Sequence, residues 1–282
     1  MPRTVVPYRL RSKHPVGPMA ESRARPGDWA VPLVIATLAV LGWEFIVRWR
    51  EVPAYVLPAP SLIALTLISD WGTLWPAWLV TLKVTFLALL ASVVGGVGLA
   101  VLFALSRPIE RALFPLAVVL QVTPIIAIAP LILIYAPNTL TALLLCAWIV
   151  AFFPILANTV TGLRSADRNL QDLFTLYGAT RWQRLRLLLA PSALPYFLAG
   201  LRIAGGLSLI GAVIAEFTAG TAGQESGLAY RILEASFRLN VARMFAALVL
   251  VSLTGMLIFA ALSLLSRSLL GRWHESAEGE GR

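Results

Sequence analysis

Lysine is nearly missing from this chain of 282 residues: 21 of its 23 basic residues are arginine, and the two lysines, Lys13 and Lys83, follow Ser12 and Leu82. A P-loop needs a Gly-Lys-Ser/Thr end whose lysine reaches the phosphates, so the chain holds no such ATPase of its own. Histidine occurs twice, at His14 and His274 in opposite polar tails, and no helix carries the imidazole pair of a zinc site. The single cysteine, Cys146, excludes an intrachain disulfide and a thiolate metal cluster, and its apolar neighbours mark it as a small buried hydrophobe. A G-x-S-x-G elbow and a cluster of carboxylates within one apolar run are both absent, which removes the simplest routes to a membrane hydrolase. No enzyme activity, metal or cofactor is expected.

Charge is scarce as well. Only 13% of the residues are charged while 59% are hydrophobic, more apolar area than a soluble core of this size can hide. Apolar windows near 30–47, 79–105, 112–136, 139–163, 197–219 and 244–266 each approach the roughly 20 residues that cross a hydrocarbon core. The predicted fold is all-α, a polytopic membrane protein of about six spans, with membrane lipid as its surroundings. Residues 1–28 form a basic tail with Arg3, Arg9, Arg11, Lys13, Arg23 and Arg25 among Pro and Gly, a composition for which no ordered structure is expected. Residues 29–78 hold the first span and an outer loop, 79–266 the core with a loop over 164–196, and 267–282 a second tail. No A-x-A-like cleavage site follows the first apolar run, which therefore reads as a retained helix.

An even number of spans puts both termini on one side. That side collects 16 Lys and Arg against five on the other (Arg48, Arg50, Arg231, Arg238 and Arg243), so the positive-inside rule predicts cytoplasmic termini in a bacterial cytoplasmic membrane. Position thus accounts for the net charge of +9 without nucleic acid. Trp43, Trp49, Trp75 and Trp78 fall at outer span edges, where amphipathic rings anchor. Ser61, after Pro58 and Pro60, is placed to cap a short outer helix over 62–69. Gly95, Gly96 and Gly98 let another helix approach the second span, and without a third glycine or a preceding strand they form no nucleotide fingerprint.

Pro115, Pro124, Pro130 and Pro154 free carbonyls in spans three and four, a pointer to a translocation path. Near them, Gln121, Thr123 and Asn158 are path candidates, with interhelical hydrogen bonding as the plainer role. Glu44, Lys83, Arg202 and Glu216 lie near span ends, where long side chains reach the interface; the alternative, for Glu216 above all, is a gating or substrate contact.

Residues 164–196 hold no spanning run, yet their pattern is ordered. Asp167 is placed to cap a helix from Arg168 that carries Leu170, Leu173, Phe174 and Tyr177 on one stripe, and Gly178 ends it. Thr180-Arg181-Trp182-Gln183 reads as a capping box opening a second short helix, which Pro191 and Pro195 limit. The apolar stripe needs a cover: either the membrane surface, which Arg181, Arg184, Arg186 and Trp182 would suit, or another protein.

The same stretch resembles the loop of binding-protein-dependent importer permeases, Glu-Ala-Ala, three residues, Gly, nine residues, Ile, one residue, Leu-Pro. Here it reads Asp172-Leu173-Phe174, Gly178, Leu188, Ala190-Pro191, with the Gly-to-Pro spacing kept and the triplet altered. Phe152–Thr159, Ala193–Arg202, Ala215-Glu216-Phe217 and Ser226–Tyr230 extend the likeness to the nitrate, sulfonate and taurine branch over roughly 55–266. The resemblance implies two permease copies forming a pathway, two cytoplasmic ATPase subunits that each accept one loop, and an extracytoplasmic solute-binding protein. It places Phe174, Tyr177 and Trp182 as anchors, Gly178 at the turn, Asp172 or the arginines as register-setting charges, and Leu173, Leu188 and Pro191 with them in the docking loop. Where relatives tend to carry a cation this chain has Gln121, which suits a neutral or weakly anionic solute such as a vitamin precursor no worse than a sulfonate. The competing reading is an ion-coupled carrier, which predicts uptake without any ATPase and a buried acidic coupling site.

Overall fold

The computed structural model describes residues 30–220 and 226–278, with side chains to Leu270. The basic segment 1–28 with His14, and the side chain of His274, lie outside the described residues. All regular structure among the described residues is helical, as the composition predicts: α1 (Ala30–Trp49), α2 (Pro60–Ser69), α3 (Trp71–Leu105), α4 (Arg107–Val122), α5 (Ile125–Tyr135), α6 (Thr139–Arg164), α7 (Arg168–Leu176), α8 (Arg181–Arg184), α9 (Ala190–Ala219), α10 (Leu228–Phe237) and α11 (Val241–Glu278). The last of these continues past the predicted span edge at 266.

At the centre α6 lies against α9. Lipid tails are as apolar as leucine, so helices in a bilayer associate through close van der Waals contact and not through the hydrophobic effect. Glycine supplies that closeness here. A Cβ on Gly162 would come within 2.8 Å of Ala193 Cα, one on Gly200 within 2.7 Å of the Pro154 carbonyl, and one on Gly211 within 2.8 Å of Ala147 Cα. Numbers fall along α6 as they rise along α9, so the pair is antiparallel.

On the other face of α6 lies α3. Val84 and Ala88 share a buried cluster with Leu143 and Ala147, and Ala100 and Phe103 share one with Val160 and Leu163. Between them the Ser92 hydroxyl donates to the Trp148 carbonyl at 3.3 Å, and a Cβ on Gly96 would meet Ile155 at 2.8 Å. Numbers rise together, so α3 and α6 run parallel, and the chain must cross back between Leu105 and Thr139.

That return is made by α4 and α5, which meet at 103°. The single straight span expected over 112–136 is therefore broken. Pro124 has no N–H and disfavours helical geometry in the residue before it, and Thr123 is accordingly extended (φ −72°, ψ 123°). Phe114 and Ala117 pack at the Leu163 end of the bundle, whereas Ala129 and Ile132 pack at the Leu143 end, so the bent pair still covers the thickness. With α1, α3, α6, α9 and α11 it makes six crossings, and both ends of the described chain fall on the side of the loop after α6.

The opposite side carries α2 and α10, each held by a glutamate from a spanning helix. Glu44 accepts from the Ser61 N–H at 3.0 Å and from its hydroxyl at 2.8 Å. The expectation that Ser61 caps α2 is corrected: its hydroxyl is spent on Glu44, and the carboxylate satisfies the first-turn N–H. Glu216, 3% exposed in the last turn of α9, accepts from Thr81 Oγ1 at 2.8 Å and from the Ala229 N–H at 3.0 Å. Thr81 Oγ1 in turn accepts the Leu228 N–H at 2.9 Å. Gly227 lies so close to the Glu216 carboxylate that no Cβ fits. Each carboxylate caps the first turn of a short helix, and Glu44 also pairs with Arg48. Trp78 is likewise more than an anchor, since its indole N–H donates to Thr254 Oγ1 at 2.7 Å.

Gly211→Ala and Gly200→Ala are expected to destabilise the protein by about 1–3 kcal/mol through overpacking, while Gly98→Ala, which points into open space, is neutral or stabilising. Thermal unfolding of the detergent-solubilised protein checks this; equal losses at all three positions contradict the seam.

Candidate functional site

The loop after α6 is built by local rules, then fastened to the spans. Asp167 accepts from the Asn169 and Leu170 N–H groups, capping α7 as its position predicts. At the other end the Gly178 N–H donates to the Thr175 carbonyl and the Ala179 N–H to that of Phe174. Gly178 sits at φ +65°, the left-handed conformation that glycine enters without a Cβ penalty. Thr180 and Gln183 form both halves of the capping box, and a cap of this kind contributes about 1 kcal/mol.

The second helix is not short. From Arg181 it continues without a break to Ala219, 39 residues, through a π-helical turn at Leu185–Leu189. Pro191 and Pro195 were expected to limit it, and the wide turn removes that conflict: the Ala190 N–H reaches back five residues to the Leu185 carbonyl, so the ladder is already shifted where Pro191 offers no donor. The loop thus enters the membrane as part of α9 and not across a hinge.

Side chains brace it further. Arg184 Nη2 donates to Thr175 Oγ1 at 2.7 Å across the glycine turn, and Gln171 Nε2 to the Ala166 carbonyl at 2.9 Å. Arg164 pairs with Glu110 at the start of α4. Leu185 is buried with Phe103, Leu156, Leu163 and Ala193 in the core that joins α3, α6 and α9. The loop, then, is a rigid projection from the bundle.

Its outer surface carries an uncovered apolar stripe among exposed polar residues. No residue of α7 is buried; Leu173 is 44% exposed, Leu176 85%, Tyr177 82% and Trp182 62%. Phe174 is half-buried, and Asp172, Gly178 and Arg181 are exposed. Two of the expected contact residues stand elsewhere: Leu188 is turned into the protein, 6% exposed, and Pro191 is half-buried inside the continuous helix. Leu176 was missed, although it follows Leu173 by three residues and so extends the stripe.

The four path candidates are not assembled within one chain. Asn158 Nδ2 donates to the Pro154 carbonyl at 2.8 Å and its Cβ abuts Gly200, a helix-packing role. Thr123 Oγ1 returns to the Val119 carbonyl at 2.7 Å. Gln121, at the elbow between α4 and α5, is exposed and its side chain has no hydrogen bond among the described residues. Glu216 lies at the far end of α9, committed to α10. On that outer side a hydrogen bond from Arg231 holds the Glu234 carboxyl below the ordinary carboxylate range.

Residues 92–271 match the family described as binding-protein-dependent transport system inner membrane component. The formylaminopyrimidine transport permease protein ThiX of Halalkalibacterium halodurans is 34% identical, over 85% of this chain and 94% of that one. The riboflavin transport system permease protein RibX of Chloroflexus aurantiacus is 35% identical, over 87% and 90%. A putative aliphatic sulfonates transport permease protein, SsuC of Bacillus subtilis, is 29% identical, over 91% and 94%. Among solved structures, a chain of the inward-facing MetNI methionine ABC transporter superposes with a TM-score of 0.62 at 20% identity, covering 71% of this chain and 97% of that one, a likeness of fold.

Proposed function

Since the chain belongs to the inner-membrane components of binding-protein-dependent transport systems, and is thereby the transmembrane permease of an ABC importer for a small solute whose ATP is hydrolysed by a separate subunit, we propose that the α7–Gly178–α8 projection is where that ATPase docks. The observation that carries the proposal is an exposed apolar stripe on an element braced too firmly to fold away. Leu173, Phe174, Leu176, Tyr177 and Trp182 are the anchors that enter the ATPase groove. Asp172 and Arg181 set register, and Gly178 keeps the stripe continuous around the turn. Because α8 and α9 are one helix, a displacement of the ATPase is transmitted to the bundle as rigid motion.

The loop side is the cytoplasmic side in this reading, from the 16 to five distribution of basic residues, and both termini lie there. Two copies of the chain form the pathway. Gln121 supports that pairing, because an exposed amide at the elbow of a broken span needs a polar partner or a water-filled path within the membrane. The opposite face, with α2 and α10, receives the solute-binding protein.

For cargo we favour an uncharged or weakly anionic heterocycle of the vitamin-precursor kind over a sulfonate. Relatives named for formylaminopyrimidine and riboflavin stand at 34% and 35% identity against 29% for the sulfonate permease, and the elbow carries Gln121 where a cation would suit an anion.

Coexpression of Phe174→Glu or Gly178→Asp with the cognate ATPase is expected to abolish the purified complex and transport while the permease still reaches the membrane. Survival of both unchanged removes the docking role. Binding of an aminopyrimidine, a flavin and taurine to the cognate solute-binding protein, followed calorimetrically, tests the cargo; selective binding of taurine reverses that choice.

A further inference from the structure

Behind the loop, between the ends of α3, α4 and α6, lies a cavity of about 1280 Å³. Its floor is apolar, formed by Ala100, Phe103, Phe114, Pro115, Val160 and Leu163, and its rim carries Arg107, Arg111, Arg164, Arg181 and Arg184 against one carboxylate, Glu110. We propose that this cavity seats the phosphate headgroup of an anionic phospholipid, with the acyl chains lying on the apolar floor.

Charge comes first. Five guanidinium groups around one carboxylate leave a surplus of four positive charges, which repel one another unless an anion enters. Arg164 is taken by Glu110, Arg181 by the Leu105 carbonyl at 3.4 Å, and Arg184 Nη2 by Thr175. Arg107 and Arg111, by contrast, have neither ion pair nor side-chain hydrogen bond among the described residues, and Arg184 Nε is buried without a partner there. A guanidinium fork matches phosphate oxygens in pairs. The helix α4 also begins at this rim without a side-chain cap, adding the positive end of its dipole.

Position selects a lipid over a soluble anion. The floor lies at the loop-side ends of spanning helices, the level of the headgroups. On the face of α4 turned away from the cavity, Ile109, Leu113 and Leu116 are exposed and suit the lipid around a spanning helix. Position also selects a lipid over the ATPase, because of the docking residues only Arg181 lines the cavity, while the exposed anchors Leu176, Tyr177 and Trp182 do not. A headgroup held here ties the start of α4 to α8, and so joins the broken span to the loop. The inference rests on the permease reading only in setting the loop at a membrane surface.

The test uses the intact permease–ATPase complex. Native mass spectrometry is expected to find phosphatidylglycerol retained on the wild type and held roughly thirtyfold more weakly by R107Q/R111Q, since a basic residue near an anionic headgroup contributes about 1 kcal/mol. R107K/R111K keeps the charge and most of the lipid, and R50Q on the opposite side keeps all of it. As an arm without variants, the delipidated wild-type complex is expected to unfold at a higher temperature in phosphatidylcholine nanodiscs containing phosphatidylglycerol than in phosphatidylcholine alone, with no such rise from inorganic phosphate. Undiminished lipid on R107Q/R111Q overturns the proposal. So does stabilisation by inorganic phosphate alone, which marks a soluble-anion site. Loss of the ATPase from R107Q/R111Q with lipid retained also overturns it, and assigns the arginines to the protein contact, an outcome distinct from failure of the Phe174 stripe.

Discussion

Between α6 and α9 there is room for two backbones and little else. Gly162, Gly200 and Gly211 remove the side chains that would hold them apart, and the loop leaves from one of these helices and returns into the other. Because its two roots are locked at van der Waals distance, the loop cannot splay. The π turn at Leu185–Leu189 then lets the return helix begin at Arg181, outside the bundle, and run to Ala219 at the far side. A force applied at α7 or α8 is therefore felt along the full length of α9, with α3 and α11 packed on it. In the proposed function, this stiff connection between an exposed apolar projection and a membrane-crossing core is what carries ATPase motion inward.

The far side is held by another device. Glu44 and Glu216 are acids on spanning helices that accept first-turn N–H groups of α2 and α10. A carboxylate in these places satisfies backbone donors that have no intrahelical partner, and for the buried Glu216 the same hydrogen bonds offset its removal from water. The Asp70–Arg243 pair at 2.5 Å adds a third tie, from the start of α3 to the start of α11. The outer helices are fixed parts of the surface and not loose connections.

What could be read from the sequence is what local physics decides. The apolar windows gave the crossings; Asp167, Gly178 and Thr180 announced their caps, because a cap is a relation among neighbours within four residues. Pro191 and Pro195 misled for the same reason. A proline is a local breaker, and only the packing of Leu185 and Ala193 into the core shows that the helix continues past it through a widened turn. The bend at Pro124 was foreseeable as strain but not as 103°, an angle set by how α4 and α5 pack on opposite ends of α6. Glu216 could not be interpreted alone, since its partner Thr81 lies 135 positions away. Leu188 has the right family position and the wrong exposure, which periodicity over so short a helix could not distinguish.

In the proposed function the exposed stripe contacts a protein and not the lipid surface that its arginines also suit. A photo-crosslinking residue at Leu176 separates the two most directly, with one at Phe237 on the opposite side as reference, in membranes containing the assembled importer. Leu176 is expected to capture the ATPase subunit in a band that Phe237 does not give. Lipid adducts alone at Leu176, with the assembled importer intact, would contradict it.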